Sequence, residues 1–564
     1  MKTRSGTSRL SHLKTLLAAC LAACGTIAYG QADRQGAYFT PQPHPVTPLP
    51  VFEQSRSLLP SPVYDENPVW VETYWRAWEL AFRNFHDPAP GSGYVSQFID
   101  AAFNKNIFLW DTAFMTMFCA IGHGLVPGIA SLDNFYVKQH ETGEICREID
   151  RLTGRDFEPW VNSGRRSLYS SWGFNTAERP VPIRYAGREA PDPPPMLTLD
   201  ALDNPVPLWA ELESFRYTGD RERLALVREP LVRYYRALQK YLRQGNGLYV
   251  TDWASMDNSP RNPFLLGGGV GVDISAQMAM FARQLATLDS ILGVPGNGAA
   301  WAEEADSLAA RINALLWNGE RGFYFDLTAD GRQTPVKTIA AFWTMLGGVA
   351  TPEQASQLVG ELRNPATFAR VHPVPSCAAD EEGYVRLGGY WRGAVWPSTN
   401  TMVVRGLQEY GYEDLAREIA LKHVAIVSDI CAATGTIWEN YAPDAAVPGR
   451  LENGDPVVGD MVGWSGIGPI LYFMEFAVGL RPDAPSHRLT WTIHSAMRSG
   501  CERYRFDGHV VSFAAVPGPG GRTVTITLSS DGPFTLSVLY RGTAQTIEVP
   551  QGPSEFILRT GEEP

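Results

Sequence analysis

The sequence predicts a mainly α-helical ring of helical hairpins followed by a small antiparallel β-sandwich. Three observations carry this. Between about residues 69 and 480, apolar side chains recur at three- and four-residue steps, the period of a helix buried along one face. These segments follow a rhythm of helix, short turn, helix, long loop. They lack the ~34- or ~40-residue sequence repeat of a solenoid, which favours closure into a ring. After Arg481 the pattern changes to period-two alternation broken by Gly and Pro, as strands require.

Taken in order, residues 1–30 read as an export signal. Lys2, Arg4, Arg9 and Lys14 precede the apolar run Thr15-Leu-Leu-Ala-Ala-Cys-Leu-Ala-Ala23, which is too short to span a membrane. Two cleavage readings stay open. Leu21-Ala-Ala-Cys24 resembles a lipoprotein box that would place a lipid anchor on Cys24; Ala28-Tyr-Gly30 resembles an ordinary signal-peptidase site. Either one puts the mature protein outside the cytoplasm, periplasmic or secreted. Residues 31–66 form a Pro-rich lead-in, expected to be extended and weakly structured.

Residues 67–482 are expected to form the helical domain. Helical patterns start at Val69 and recur over Val206–Thr218, Glu222–Gln244, Val272–Gly293, Ala299–Trp317, Val336–Gly347, Pro352–Leu362, Ser398–Tyr410, Tyr412–Ser428 and Trp464–Phe476. Residues 150–198, rich in Arg, Gly and Pro, read as a long loop of the kind that rims or covers a site. Residues 485–564 are the β-domain, with strands at Leu489–Ile493, Val510–Phe513, Thr523–Leu528, Phe534–Tyr540 and Thr546–Val549.

Composition narrows the function. The net charge is −12, and the basic leader holds no acid, so the chain without it is more acidic still. With no basic arm or helix, nucleic acid is not an expected partner. The 16 Trp and 22 Tyr suit sugar stacking and a large core equally. Cys119, Cys146, Cys377, Cys431 and Cys501 show no metal-finger spacing and are expected to be buried free thiols; no His pair has metal spacing either. Gly267-Gly-Gly-Val-Gly271 lacks the Lys of a phosphate cradle, and no Gly-x-Ser-x-Gly elbow occurs.

The chemistry concentrates in two stretches. Gly388-Gly-Tyr-Trp-Arg-Gly-Ala-Val-Trp-Pro397 groups Tyr390, Trp391 and Trp396 around Arg392, and Thr436-Ile-Trp-Glu-Asn-Tyr-Ala-Pro-Asp444 presents Glu439 between Trp438 and Tyr441. Aromatic walls with a few aimed polar groups suit a sugar pocket. A second carboxylate is available at Asp257 in Ser255-Met-Asp-Asn-Ser-Pro-Arg261. Hydrolysis with inversion needs one protonated and one ionised carboxyl, ~6.5–9.5 Å apart to admit water. Asp257 and Glu439 are far apart in sequence, so only a fold that gathers distant loops can pair them.

Further blocks extend the pattern: Phe108-Leu-Trp-Asp-Thr-Ala-Phe114, then Gln139 with Gly143-Glu-Ile145. With the three stretches above, five blocks in order over roughly residues 69–480 make the chain resemble glycoside hydrolase family 63: processing α-glucosidase I, bacterial α-glucosidases and mannosylglycerate hydrolases. It is more distantly similar to trehalases. The resemblance implies an (α/α)6 toroid, the six-hairpin glycosidase fold, and exo-acting, cofactor-free hydrolysis of an α-glycosidic bond in an oligosaccharide or small glycoside, with inversion. It implies Asp257 as general acid and Glu439 as general base. Trp110, Asp111, Gln139, Arg392 and Trp396 would line the subsite of the released sugar. Arg147, Arg261, Tyr390, Trp391, Trp438, Tyr441 and Trp464 complete the expected contact set. Two departures bear on the substrate: only the Pro-rich lead-in precedes the helices, where relatives often carry a β-domain, and Asp252-Trp-Ala-Ser255 replaces the usual Gly before Met256.

Each residue also has a plain structural reading. Asp257 could cap a turn before Pro260, Glu439 could be a surface Glu, and Asp252 competes as the acid. Arg392 could satisfy loop carbonyls, Trp110-Asp111 could be a core Trp and a helix N-cap, and Trp464 could belong to the core. Two rival functions remain: a sugar epimerase or polysaccharide lyase on a helical toroid, and a non-catalytic carbohydrate-binding protein.

Overall fold

The computed structural model describes residues 35–42, 47–101, 104–156, 197, 202–251, 256–461 and 463–560. The leader with Cys24, Asp252-Trp-Ala-Ser255 and most of the 150–198 loop lie outside the described residues.

A strand from the lead-in opens the fold: β1 (Ser61–Tyr64) pairs antiparallel with residues 499–502. The lead-in is therefore not uniformly weakly structured. Pro62 is compatible with this because β1 is an edge strand, where a missing N–H costs no ladder bond.

The long helices follow. Helix α1 (Pro68–Phe82) has proline in its first turn, where no N–H is needed, and buries Tyr74, Ala77, Trp78 and Ala81 along one stripe. Next come α2 (Leu109–Cys119), α3 (Pro207–Thr218), α4 (Arg221–Leu242), α5 (Val272–Leu292) and α6 (Gly298–Leu315). Helix α7 (Pro352–Arg363) starts with a reciprocal capping box between Thr351 and Gln354; α8 (Pro397–Glu409) and α9 (Glu413–Thr434) complete the set.

Successive helices pack on one another: α2 on α3, α4 on α5, α5 on α6, α8 on α9. The ring closes where α1 meets both α9 and the buried segment Gly468–Val478. This is the (α/α)6 six-hairpin toroid. Two stretches expected as ordinary helix differ. Ile339–Phe342 is a tight 3₁₀ turn leading into Trp343–Leu346, and Trp464–Ile467 is 3₁₀ leading into a wide π-type winding over Gly468–Val478. Apolar periodicity reports burial, not the radius of the winding.

The β-domain comprises β2 (Leu480–Asp483), β3 (Arg488–Ile493), β4 (Ser499–Phe506), β5 (His509–Pro517), β6 (Thr523–Ser530), β7 (Phe534–Tyr540), β8 (Thr543–Val549) and β9 (Gly552–Arg559). One sheet runs β1-β4-β5-β6-β9 and the other β8-β7-β3-β2. The expected all-antiparallel pattern needs one correction, since β3 and β7 pair in parallel, Thr535 opposite Arg488 through Tyr540 opposite Ile493. The chain reaches β7 only after passing through the other sheet, and a crossover of that kind permits parallel pairing where a hairpin does not. Cys119, Cys377, Cys431 and Cys501 are buried free thiols, and Cys146 is buried as well.

One buried ion cluster stitches the ring. Arg405 of α8 donates to Glu475 at 2.7 and 3.0 Å and to Glu213 of α3 at 3.3 Å, with its side chain 7% exposed. Replacing Arg405 with Ala removes the ion-pair partner of Glu475 and leaves Glu213 with Arg216. It is expected to cost about 3–5 kcal/mol of unfolding free energy, read by denaturant melts; a loss below about 1 kcal/mol would show that the cluster is dispensable.

Candidate active site

The site is assembled around a short hook, Gly389-Tyr-Trp-Arg-Gly393. Tyr390 has φ 64°, a left-handed backbone conformation unfavourable for a bulky residue. Gly389 and Gly393 flank it at φ 53° and 148°. A Cβ on either would come within 2.8 Å of Val385, so the turn needs both glycines.

The hook is held from two directions. Asn258 donates from Nδ2 to the Gly389 carbonyl at 3.0 Å, and the Trp391 N–H donates to Asn258 Oδ1 at 2.8 Å. The Tyr390 hydroxyl donates to Glu439 Oε1 at 3.0 Å. Asp257, adjacent to Asn258, and Glu439 are thereby tied to the same five-residue turn. They are close enough that the Asp257 charge raises the Glu439 pKa.

Both carboxyls are pushed toward the protonated form. Glu439 is 4% exposed, and burial lifts it from 4.5 to about 7 against the Tyr390 hydrogen bond, with Asp257 adding to the rise. Burial also raises Asp257, opposed by Arg147, whose guanidinium lies 3.8 Å away. The backbone of the Asp257 segment is fixed by Asn262, which donates to the Met256 and Asp257 carbonyls at 2.7 and 3.1 Å.

Asp111 joins this group. It lies in the first turn of α2, buried and making no N-cap bond, and its Oδ1 has no hydrogen-bond partner among the described residues. Burial raises its pKa well above the usual range, with Asp203 and Glu439 adding to the rise and Arg147 opposing it. Asp203 accepts from the Trp110 N–H at 2.9 Å and is lifted by burial to about 6. Asp111, Asp203 and Asp257 thus share the neighbourhood of Arg147, with Glu439 close to Asp111 and Asp257, which favours protonation of some of them at neutral pH.

Aromatic rings floor and wall the site. Trp391 stacks on Trp396 with centroids 4.1 Å apart, and Trp464 sits 5.6 Å from Trp396 while donating to the Glu439 carbonyl at 2.8 Å. Trp110 lies 6.0 Å from Trp343. Trp438 is half-buried and donates to Thr434, and Arg392 sits at a more exposed position, donating to the Gly383 carbonyl and to Glu452.

Several expected contact residues take supporting positions instead. Arg261 is fully buried and paired with Asp273 and Asp326, so it braces the start of α5. Gln139 is fully buried, its amide donating to the Gly143 and Pro230 carbonyls. Tyr441 is fully buried behind Glu439, its hydroxyl accepting from the Trp438 N–H and its ring against His372 and His423. Trp396, 1% exposed, backs Trp391. In each case the residue type suits sugar contact, but burial and bonds to the protein take up most of its polar atoms or faces; the Gln139 Oε1 has no hydrogen-bond partner among the described residues. Sequence reasoning passes over Asp203 and the clasp of Asn258; neither Asp203-Asn-Pro nor an Asn beside an Asp differs from ordinary turn chemistry.

Residues 198–450 match the model of the mannosylglycerate hydrolase MGH1-like glycoside hydrolase domain. The chain is a glycosidase with the six-hairpin fold. This glycosidase is 35% identical over 143 residues to a mannosylglycerate hydrolase of Rubrobacter radiotolerans, covering 24% of this chain and 30% of that one. A protein of Borreliella burgdorferi is 24% identical over 362 residues, 63% of this chain and 75% of its own. Among solved structures, the family 63 mannosylglycerate hydrolase from Thermus thermophilus in complex with glucose superposes with a TM-score of 0.52 at 21% identity, over 70% of this chain and 98% of that one. That likeness shows the fold. The glycosidase spans about 30% of the length of the Rubrobacter enzyme it matches.

The raised Glu439 makes a stability prediction. A carboxyl lifted from 4.5 to about 7 in the folded chain favours folding while protonated, and that contribution fades as pH rises through this window. Glu439→Gln is expected to be more stable than wild type at pH 8, by up to about 3 kcal/mol, with the gap closing near pH 4. Thermal melts at the two pH values check this; an unchanged or lowered melting temperature at pH 8 would contradict it.

Proposed function

We propose that this glycosidase hydrolyses an α-glycosidic bond with inversion, acting at the end of a short glycoside. Asp257 would serve as the proton donor and Glu439 as the base. The observation that carries the reading is the joint tether: one turn, Gly389–Gly393, is bonded both to the segment of Asp257 and to the carboxyl of Glu439.

The chemistry follows from that pairing. Asp257, raised by burial, gives its proton to the glycosidic oxygen as the bond to the anomeric carbon breaks. Glu439, ionised, takes a proton from water attacking the same carbon from the opposite face. The α-glycoside yields a β-hemiacetal, and solvent exchange restores both carboxyls. Trp391 and Trp110 supply apolar walls, and the buried Asp111 Oδ1 is available to a sugar hydroxyl. No cofactor enters this scheme.

For the substrate, an α-glucoside is the first reading, and the matched domain type favours adding small α-mannosides such as mannosylglycerate. Export of the mature chain, soluble or anchored through Cys24, accompanies this proposal on the strength of the basic-then-apolar leader. Fractionation of cells producing the full chain tests that part.

Three measurements test the rest. Proton NMR of the first product formed from an α-glucoside, α-mannosylglycerate or trehalose is expected to show the β-anomer before mutarotation; first release of the α-anomer, or an unsaturated sugar, would overturn the reading. Asp257→Asn and Glu439→Gln are each expected to lower kcat by at least about 10²–10⁴-fold while the protein stays folded. Because Glu439 must be ionised, kcat/KM is expected to rise with pH through a limb centred near 7; a flat profile between pH 5 and 8 would rule Glu439 out as the base.

A further inference from the structure

We propose that Asn258 is a positioning residue that sets the geometry of both carboxyls through the Gly389–Gly393 hook. The inference rests on the reading of Asp257 and Glu439 as the working pair and adds a residue outside the expected contact set.

Asn258 uses both ends of its amide on one turn, its Nδ2 donating to the Gly389 carbonyl at 3.0 Å and its Oδ1 accepting from the Trp391 N–H at 2.8 Å. The two contacted residues bracket Tyr390, whose left-handed backbone needs outside support to persist. Tyr390 in turn reaches Glu439 Oε1. Asn258 is covalently next to Asp257, and Asn262 anchors the other side of that carboxylate's backbone. A single side chain therefore links the position of one carboxyl to the hydrogen bond on the other. Only an amide serves here: Asp lacks the donor for Gly389, and an apolar side chain lacks both groups.

Losing the clasp should release Tyr390 from Glu439. A hydroxyl donated to a carboxylate favours its charged form, so its loss moves the Glu439 titration to higher pH.

The test uses the full chain and the glycoside found to be hydrolysed. Asn258→Ala is expected to lower kcat on the order of 10- to 100-fold with little change in KM, and to move the acid limb of kcat/KM upward. Tyr390→Phe should move that limb the same way, and the double variant should add little to either single one, since both break the same link. A limb that stays at the wild-type position, or independent summing of the two effects, would overturn the proposal even if the rate falls. Should the Ala variant fail to fold, Asn258→Gln reads the same limb with the amide displaced by one methylene: an upward shift supports the inference and none refutes it. Asp257→Asn and Glu439→Gln separate the two levels. If either keeps full activity, the underlying pairing is wrong; if both are inactive while the Asn258 limb is unmoved, only the clasp is wrong.

Discussion

The two hydrogen bonds between Asn258 and the Gly389–Trp391 backbone are the constraint on which the site depends. The helical ring supplies loops at one mouth, but a ring alone leaves those loops free to settle independently. Here a turn too tight for ordinary residues is held in a left-handed conformation by an amide from another loop, and the strained Tyr390 meets Glu439. Strain of this kind persists only where surrounding bonds over-determine it. The hook's glycines, the Asn258 amide and the Asn262 bonds to the Asp257 segment together do so.

Electrostatics then follows from packing. Asp111, Asp203 and Asp257 share Arg147 as a nearby cation, and Glu439 lies close to Asp111 and Asp257. Removing water raises every one of these carboxyls, and neighbouring carboxylates add to the rise at Asp111, Asp203 and Glu439. The same burial that equips a carboxyl to donate a proton weakens the fold once that carboxyl ionises. This is the ordinary tension between an active site and stability. The ring absorbs it elsewhere, in cores such as that of α1 and in buried ion pairs such as those of Arg405 with Glu475 and Glu213.

Much of this was legible in the sequence because periodicity reports burial directly. The helices at Val272–Leu292 and Gly298–Leu315 begin and end within two residues of where their apolar stripes place them. Glu439 and the hook were visible as an acid and glycines set among aromatics. What the sequence hid was direction. Arg261, Gln139 and Tyr441 have the chemistry of sugar contacts, yet their partners Asp273, Pro230 and His423 lie on elements distant in the chain. The strand Ser61–Tyr64 was hidden for a similar reason, since an edge strand four residues long is defined by its partner at residues 499–502 and not by its own pattern. The parallel pairing of β3 with β7 likewise depends on topology that local alternation does not encode.

The central claim is that Asp257 and Glu439 face one another across a single glycosidic bond. A crystal structure of the Glu439→Gln variant holding an intact α-glycoside tests it most directly. The account predicts the glycosidic oxygen within hydrogen-bond reach of Asp257, with a water between residue 439 and the opposite face of the anomeric carbon, at a carboxyl separation of ~6.5–9.5 Å. A glycoside bound away from either side chain, or carboxyls only ~5 Å apart with no space for that water, would contradict it.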